Sequence, residues 1–246
     1  MIDTIICGDC LEVLPTLEDR SVDMVLADLP YGVTACKWDT PLPLDDLWSE
    51  WLRICKGAIV LTATQPFTSR LVMSQPKLFR YEWVWDKKRP TNFLQSRKMP
   101  MRRHENILVF SASPTTYNPQ MRERDDSGDI GRDRGSNIYS ESMKCKSKPT
   151  FIIQENDLAL PHTILYFGTS SNTKQKKNIF MPTQKPVALF EYLIRTYTNE
   201  GDIVLDPTAG SGTTAVACRK TNRHYICIEK EPDYCAIAEK RIMEML

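Results

Sequence analysis

Short apolar runs alternate with stretches of helical periodicity along the first third of the chain. Thr4 to Cys7 reads as a strand, Asp9 can cap a helix running to about Leu17, and Val22 to Ala27 reads as a second strand. Leu44, Leu47, Trp48, Trp51, Leu52 and Cys55 recur at helical spacing, and Lys56-Gly57 is expected to close that helix before the apolar strand Ala58 to Ala63. Pro66, placed at a helix start, opens Phe67 to Ser74 in the same way. Tyr81 to Trp85 and Glu105 to Phe110 predict two more strands. Such alternation predicts a parallel sheet with helices on its faces.

After Phe110 the pattern fades. Ser111 to Thr150 has few large apolar residues and a mixed-charge run from Arg122 to Gly135, which predicts an insertion, flexible at least in part. Regularity returns with Thr163 to Phe167, a Lys174 to Lys177 loop, and a helix from about Pro186 to Tyr197 whose apolar face is Val187, Phe190, Leu193, Ile194 and Tyr197. A strand Asp202 to Asp206, a strand His224 to Ile228 and a helix Pro232 to Met245 follow. There is no internal repeat.

With 246 residues, 41% hydrophobic and 26% charged, the chain is globular, large enough for one domain with an insertion, and neither wholly disordered nor fibrous. No apolar run approaches the roughly 18 residues of a membrane span, and Met1 to Thr4 lacks the features of a signal peptide, so a cytosolic protein is expected. The eight cysteines are then expected to be reduced, mostly as small core residues. Cys7 and Cys10 form a CxxC, but no second pair stands at zinc spacing and His104, His162 and His224 are scattered, so no metal is expected.

The net charge of +1 conceals an asymmetry. From Arg80 to His104 eight Lys or Arg stand against Glu82 and Asp86, which leaves the rest of the chain acidic. Interleaved with Tyr81, Trp83, Trp85 and Phe93, this segment could bind phosphates and stack on bases, or be a solvated face beside core aromatics.

Two motifs carry chemistry. Asp206 ends a strand that runs into Gly210-Ser-Gly-Thr-Thr-Ala215 at a helix start, a G-x-G-x-x-A loop that allows close backbone approach to a ligand. Glu229 follows about 20 residues later, at the end of the next strand, where an acid grips ribose hydroxyls. The alternative for the loop is a plain strand-to-helix turn. Only one helix follows this unit, so the earlier strands must complete the sheet, an order unlike that of most nicotinamide enzymes. The second motif is Asp28-Leu29-Pro30-Tyr31, at the end of the strand Asp23 to Ala27. It puts a carboxylate, a stiff turn and an aromatic ring at the edge where open α/β sheets bind ligands.

Together these motifs resemble the permuted, β-group DNA amino-methyltransferases, over most of the chain outside Ser111 to Ser171. Asp28 to Tyr31 resembles the family's Asp-Pro-Pro-Tyr motif, with Leu29 in place of the first proline. Asp206 to Thr214 resembles its Asp-Pro-Phe-x-Gly-Ser-Gly-Thr-Thr loop, with Thr208 in place of phenylalanine. Gly8-Asp9-Cys10, Thr183-Gln-Lys-Pro186, Trp85-Asp-Lys87 and His104-Glu-Asn-Ile107 resemble further motifs, and Glu229 the ribose acid.

The resemblance implies an α/β, Rossmann-like methyltransferase fold with a mostly parallel sheet and circularly permuted motif order. Residues 1–110 and 181–246 would form the catalytic domain, and 111–180 a target-recognition insertion. The implied reaction is methyl transfer from S-adenosylmethionine to the N6 amino group of an adenine flipped out of double-stranded DNA. Catalysis would fall to Asp28, Leu29, Pro30 and Tyr31. Cofactor binding would fall to Asp9, Cys10, Asp28, Gln184, Lys185, Asp206, Pro207, Gly210, Ser211, Gly212, Thr213 and Glu229, with no metal. Lys87, Arg89, Arg97, Arg102 and Arg103 are the candidate phosphate contacts. The family context admits a homodimer and a separate cognate restriction endonuclease as further partners, with no membrane.

The physical logic is that an exocyclic amino group has its lone pair delocalised into the ring. Acceptors for its two N–H bonds, Asp28 and the Leu29 carbonyl, free that pair and stabilise the charge that develops, while Tyr31 stacks on the flipped base. The competing readings are an N4-cytosine enzyme, for which the family places Ser where Asp28 stands, an RNA or protein methyltransferase, and a non-catalytic nucleotide- and nucleic-acid-binding module. Carbon-5 cytosine methylation is excluded, because no Pro-Cys dipeptide supplies its nucleophile.

Overall fold

Strands buried on both faces must be apolar at successive positions, and the central strands here meet that demand. The computed structural model describes residues 2–32, 40–123, 158–169, 180 and 184–245. In order come β1 (Thr4–Cys7), α1 (Cys10–Val13), β2 (Val22–Ala27), α2 (Leu44–Ile54), β3 (Cys55–Ala63), α3 (Phe67–Ser74), β4 (Phe79–Thr91) and β5 (Arg102–Phe110). Two short strands follow, β6 (Arg122–Glu123) and β7 (Leu158–Ala159). The chain then forms β8 (Ile164–Tyr166), α4 (Val187–Tyr197), β9 (Ile203–Asp206), α5 (Thr213–Lys220), β10 (His224–Glu229) and α6 (Pro232–Met243).

Eight of these strands form one sheet in the order β1-β10-β9-β2-β3-β5-β4-β8. All pairings are parallel except the two that β5 makes, with β3 and β4. The last βαβ unit thus slots between β1 and β2, as the permuted order requires. Side chains alternate between two cores. Val25, Ile59, Leu61, Leu108, Leu205 and Ile226 point to the face covered by α1, α2 and α3. Met24, Leu26, Val60, Ile107, Val204 and Cys227 point to the face of α4 and α5. The α/β fold read from the sequence is the fold observed.

Residues 1–118 and 163–246 form the unit that holds this sheet, and 119–162 form a second compact unit. Of the second unit the described residues pair β6 with β7 antiparallel, Arg122 facing Ala159. The charged run beyond Glu123, the Lys174–Lys177 loop and Thr183 lie outside the described residues.

Some sequence readings shift. Helix α2 ends at Ile54, and Lys56-Gly57 do not close it but lie in β3. There the register against β2 slips between Val22 and Met24, and a Cβ at Gly57 would sit 2.0 Å from the Asp23 carbonyl oxygen. Glycine is required by close approach. Lys56 reaches Asp23 at 2.7 Å, and the other Asp23 oxygen accepts the Ile203 amide at 2.9 Å, so this point ties β2, β3 and β9 together. Leu52 is exposed and Ile54 takes its place in the core. Cys7 is exposed, unlike the buried Cys10, Cys218, Cys227 and Cys235. A Gly57→Ala variant is expected to lose at least about 3 kcal/mol of stability, because the added carbon meets backbone, and chemical denaturation checks it.

Candidate active site

Connections from β9 to β10 step toward one edge of the sheet and from β2 to β3 toward the other, so a crevice opens between the carboxyl ends of β9 and β2. Both sequence motifs sit there. The Asp28 loop follows β2, the glycine loop follows β9, and the Thr208 hydroxyl bridges them by donating to the Asp28 carbonyl at 3.2 Å. Thr208, one of the two departures from the family pattern, therefore joins the two motifs.

The Asp28 carboxylate is heavily coordinated. Its Oδ1 lies 2.7 Å from the Tyr31 hydroxyl and 2.5 Å from the Thr62 hydroxyl of β3, and its Oδ2 accepts from the Lys185 ammonium at 2.6 Å. A carboxylate has about four acceptor sites, so the hydrogen bonds made by the described residues leave one, on Oδ2. The Asp28 side chain stays partly open to solvent while Lys185 is buried.

Lys185 departs from expectation. The sequence placed it among cofactor ligands, and the structure ties it to Asp28 and sets it 3.6 Å from Glu105 of β5. Burial works against its charge, but Asp28 and Glu105 outweigh that and hold its pKa above the ordinary lysine value, so it is a permanent cation. Glu105 continues the network to Lys87 at 3.2 Å. Lys87 is thereby corrected as a phosphate contact, since it is buried against a carboxylate. Its role was missed because Lys87 and Glu105 face each other only once β4 and β5 pair. Burial, with Asp28 and Glu105 behind it, holds the Tyr31 phenol well above its usual pKa, so it remains a donor. The Tyr31 ring lies 5.3 Å from Phe67 and 5.7 Å from the Lys185 ammonium.

Around the glycine loop the carboxylates are anchored to backbone. Glu229 accepts the Gly210 amide at 2.7 Å on one oxygen and the Glu231 amide at 2.9 Å on the other. Gly212 adopts φ +75°, and a Cβ there would lie 2.7 Å from Ala238 Cβ, so the loop packs directly on α6. Ser211 is buried, and its hydroxyl lies 3.3 Å from Gln184 Oε1, which also accepts the Phe180 amide. Arg241 of α6, which the sequence did not single out, donates to the Ser211 hydroxyl at 3.0 Å and to its carbonyl. Burial pulls the Arg241 guanidinium down to about 10.

Pro207 and Thr213 are buried beside this loop. Asp206 is also buried, with one oxygen accepting the Thr208 amide at 3.0 Å and the other the Thr214 hydroxyl. Burial pushes its carboxyl up to about 7, against the opposing effect of those bonds. Asp9 caps α1 through the Leu11 amide and pairs with Lys230 at 2.9 Å, which together lower its pKa. Burial pushes the neighbouring Cys10 thiol up to about 11. Asp9, Cys10 and Asp206 thus have evident local structural work, and Glu229 is the carboxylate fixed at the crevice.

The aromatic residues of the basic segment divide. Trp83 and Trp85 are core residues, donating to the Tyr197 hydroxyl at 2.6 Å and the Phe167 carbonyl at 2.7 Å. They face inward because alternation along β4 turns them toward the α4 core, which decides for core aromatics between the two readings of this segment. Phe93, Arg89, Arg97, Arg102 and Arg103 are exposed, and Arg103 pairs with Asp86 at 2.8 Å.

Residues 22–240 match the N6_N4_Mtase family, described as DNA methylase. The chain is 27% identical to the type II methyltransferase M.HpaI of Haemophilus parainfluenzae, over 97% of this chain and 73% of that protein. Among solved structures it is similar to the M1.HpyAVI–SAM complex, with a TM-score of 0.63 and 24% identity, covering 97% of this chain and 98% of that one. The cytosine-N4-specific PvuII DNA methyltransferase has a TM-score of 0.65 at 16% identity, covering 97% and 85%. These two structures share the fold.

A carboxyl held above its unfolded value contributes stability that is full at low pH and is lost as pH rises through the folded value. Asp206 moves from 3.8 to about 7. Relative to an Asp206→Asn variant, the wild type is therefore expected to lose on the order of 4 kcal/mol between about pH 4 and pH 8, measured by denaturant titration across that range.

Proposed function

The chain belongs to the DNA methylase family matched by residues 22–240, and on that premise we propose that it methylates the N6 amino group of an adenine flipped out of double-stranded DNA. It is a DNA methyltransferase, and its methyl donor is S-adenosylmethionine. The crevice residues fit that cofactor. Glu229 has each oxygen steadied by a backbone amide and a lone pair to spare, the state an acid needs to bind two ribose hydroxyls. Gly210, Ser211 and Gly212 would bring backbone close to the methionine side, with Gln184 bracing Ser211.

When bound, the cofactor supplies an electrophilic methyl group on a sulfonium centre. The observation that carries the reading is the single open acceptor site of an otherwise saturated Asp28 carboxylate, at the mouth of that crevice. One amino N–H of the base would donate to Asp28 Oδ2 and the other to the Leu29 carbonyl, with Pro30 stiffening the turn between them and Tyr31. This draws the nitrogen lone pair out of the ring and stabilises the positive charge that builds on nitrogen during transfer, and the N–H proton that must then leave passes to Asp28. Tyr31, its hydroxyl tied to Asp28, presents a fixed ring for the base to stack on. Lys185 sets the direction of Oδ2, so it is a positioning residue rather than a cofactor ligand.

Aspartate at position 28 favours adenine by resemblance, and the shared fold with the cytosine-N4-specific PvuII enzyme supports N4 of cytosine as the second reading. A DNA substrate supports the reading of a cytoplasmic protein, and no helix among the described residues is long and apolar enough to cross a membrane.

Incubation with labelled S-adenosylmethionine and unmethylated duplex DNA, followed by digestion and mass identification of nucleosides, is expected to yield N6-methyladenine. N4-methylcytosine would replace the base assignment, and wild-type turnover by Asp28→Ala would overturn the site. Lys185→Met is expected to lower kcat about a hundredfold with cofactor affinity little changed, whereas Lys185→Arg recovers part of the rate.

A further inference from the structure

Every residue from Lys88 to His104 is exposed, and this stretch contains six Lys or Arg and no Asp or Glu. It is the hairpin between β4 and β5, with Thr91 opposite Arg102 at its neck and the Thr91 hydroxyl bonded to the Arg102 carbonyl at 3.1 Å. Its tip is a single helical turn, Phe93–Gln95, entered through Asn92 at φ +68°. The turn is closed by hydrogen bonds from the Gln95, Ser96, Lys98 and Met99 amides to carbonyls within the loop. This hydrogen-bonded turn displays Phe93 at 77% and Leu94 at 95% exposure. Two adjacent large apolar side chains are thus held in water by a cationic frame.

The hairpin springs from the edge of the sheet that holds Asp28, because β4 runs parallel with the strands that end there and β5 starts there. From its neck the path to the site is short. Arg102 is three residues, about 10 Å of strand, from Glu105, which lies beside Lys185 and, through it, Asp28. A cationic surface attracts a polyanion, and the part of duplex DNA that welcomes apolar side chains is the base stack.

We propose that Phe93 and Leu94 form a wedge that enters the duplex beside the target base, holding open the gap left when that base swings out to Asp28, while Arg89, Arg97, Lys98 and Arg102 grip the flanking phosphates. This rests on the DNA methyltransferase reading. The wedge compensates lost stacking in the duplex, so it acts on extrusion and not on the chemistry at the amino group. A base already unstacked has no need of it.

The test compares wild type with a Phe93→Ala/Leu94→Ala variant, whose exposed side chains lie outside the core, on native and heat-denatured unmethylated plasmid DNA. The variant is expected to methylate native DNA at least about tenfold more slowly and denatured DNA at the wild-type rate. A second readout needs no turnover. Nicked circular plasmid sealed by ligase in the presence of wild type should show a shifted linking number, and the variant should bind the plasmid with the same salt dependence yet give no shift. Equal loss on both DNA forms, or an unchanged variant in both assays, overturns the wedge. So does a variant that keeps both DNA readouts but loses self-association or co-sedimentation with anionic vesicles. Should wild type methylate no DNA, the methyltransferase reading fails, and the linking-number result still decides the wedge.

Discussion

A lysine ammonium removed from water needs negative partners around it, and Lys185 finds them only where three distant stretches of chain converge. Asp28 follows β2, Glu105 lies on β5, and Lys185 precedes α4, 157 residues from Asp28. Taking away any one of the three leaves a charge with no counterpart in a partly dry crevice. The arrangement therefore holds β5 at one height against β3 and draws Lys87 in behind Glu105. Asp28, although it sits on a loop, is held as firmly as a residue inside a strand. Thr62 and Tyr31 restrain one of its oxygens and Lys185 the other.

The opposite wall of the crevice handles burial in another way. Asp206 has hydrogen bonds but no ion pair among the described residues, and burial raises its affinity for a proton. Its two bonds still tie the glycine loop to the first turn of α5, and Arg241 supports the loop from behind through Ser211. One wall thus balances charge with charge and keeps it; the other lets a carboxyl take up a proton. The two walls of the crevice consequently present different electrostatic surroundings.

The elements and their layering were legible because two-faced burial writes long apolar runs into strands, and α2 and α4 show clear helical periodicity. The two ligand loops were legible because glycine spacing and Asp28 to Tyr31 are local. What the sequence could not display was any property that depends on facing. Trp83 and Trp85 look like base-stacking groups beside arginines until the sheet turns them inward. Lys87 counts as one more cation until β5 brings Glu105 opposite. Lys185 resembles part of a cofactor motif, and only the folded sheet puts it on the Asp28 carboxylate. Gly57, read as a helix stop, answers to Asp23, a neighbour across strands rather than along the chain.

The place of β9 and β10 between β1 and β2 has a consequence for how the protein is made. The ribosome releases β1 and β2 well before the strands that separate them in the sheet. Until β9 and β10 emerge, β2 lacks one neighbour and β1 has none in the sheet, so the earlier segments wait with apolar edges uncovered. The same strands carry the glycine loop. Closure of the sheet and completion of the crevice between β9 and β2 therefore arrive together, only after the β4–β5 hairpin has already been made.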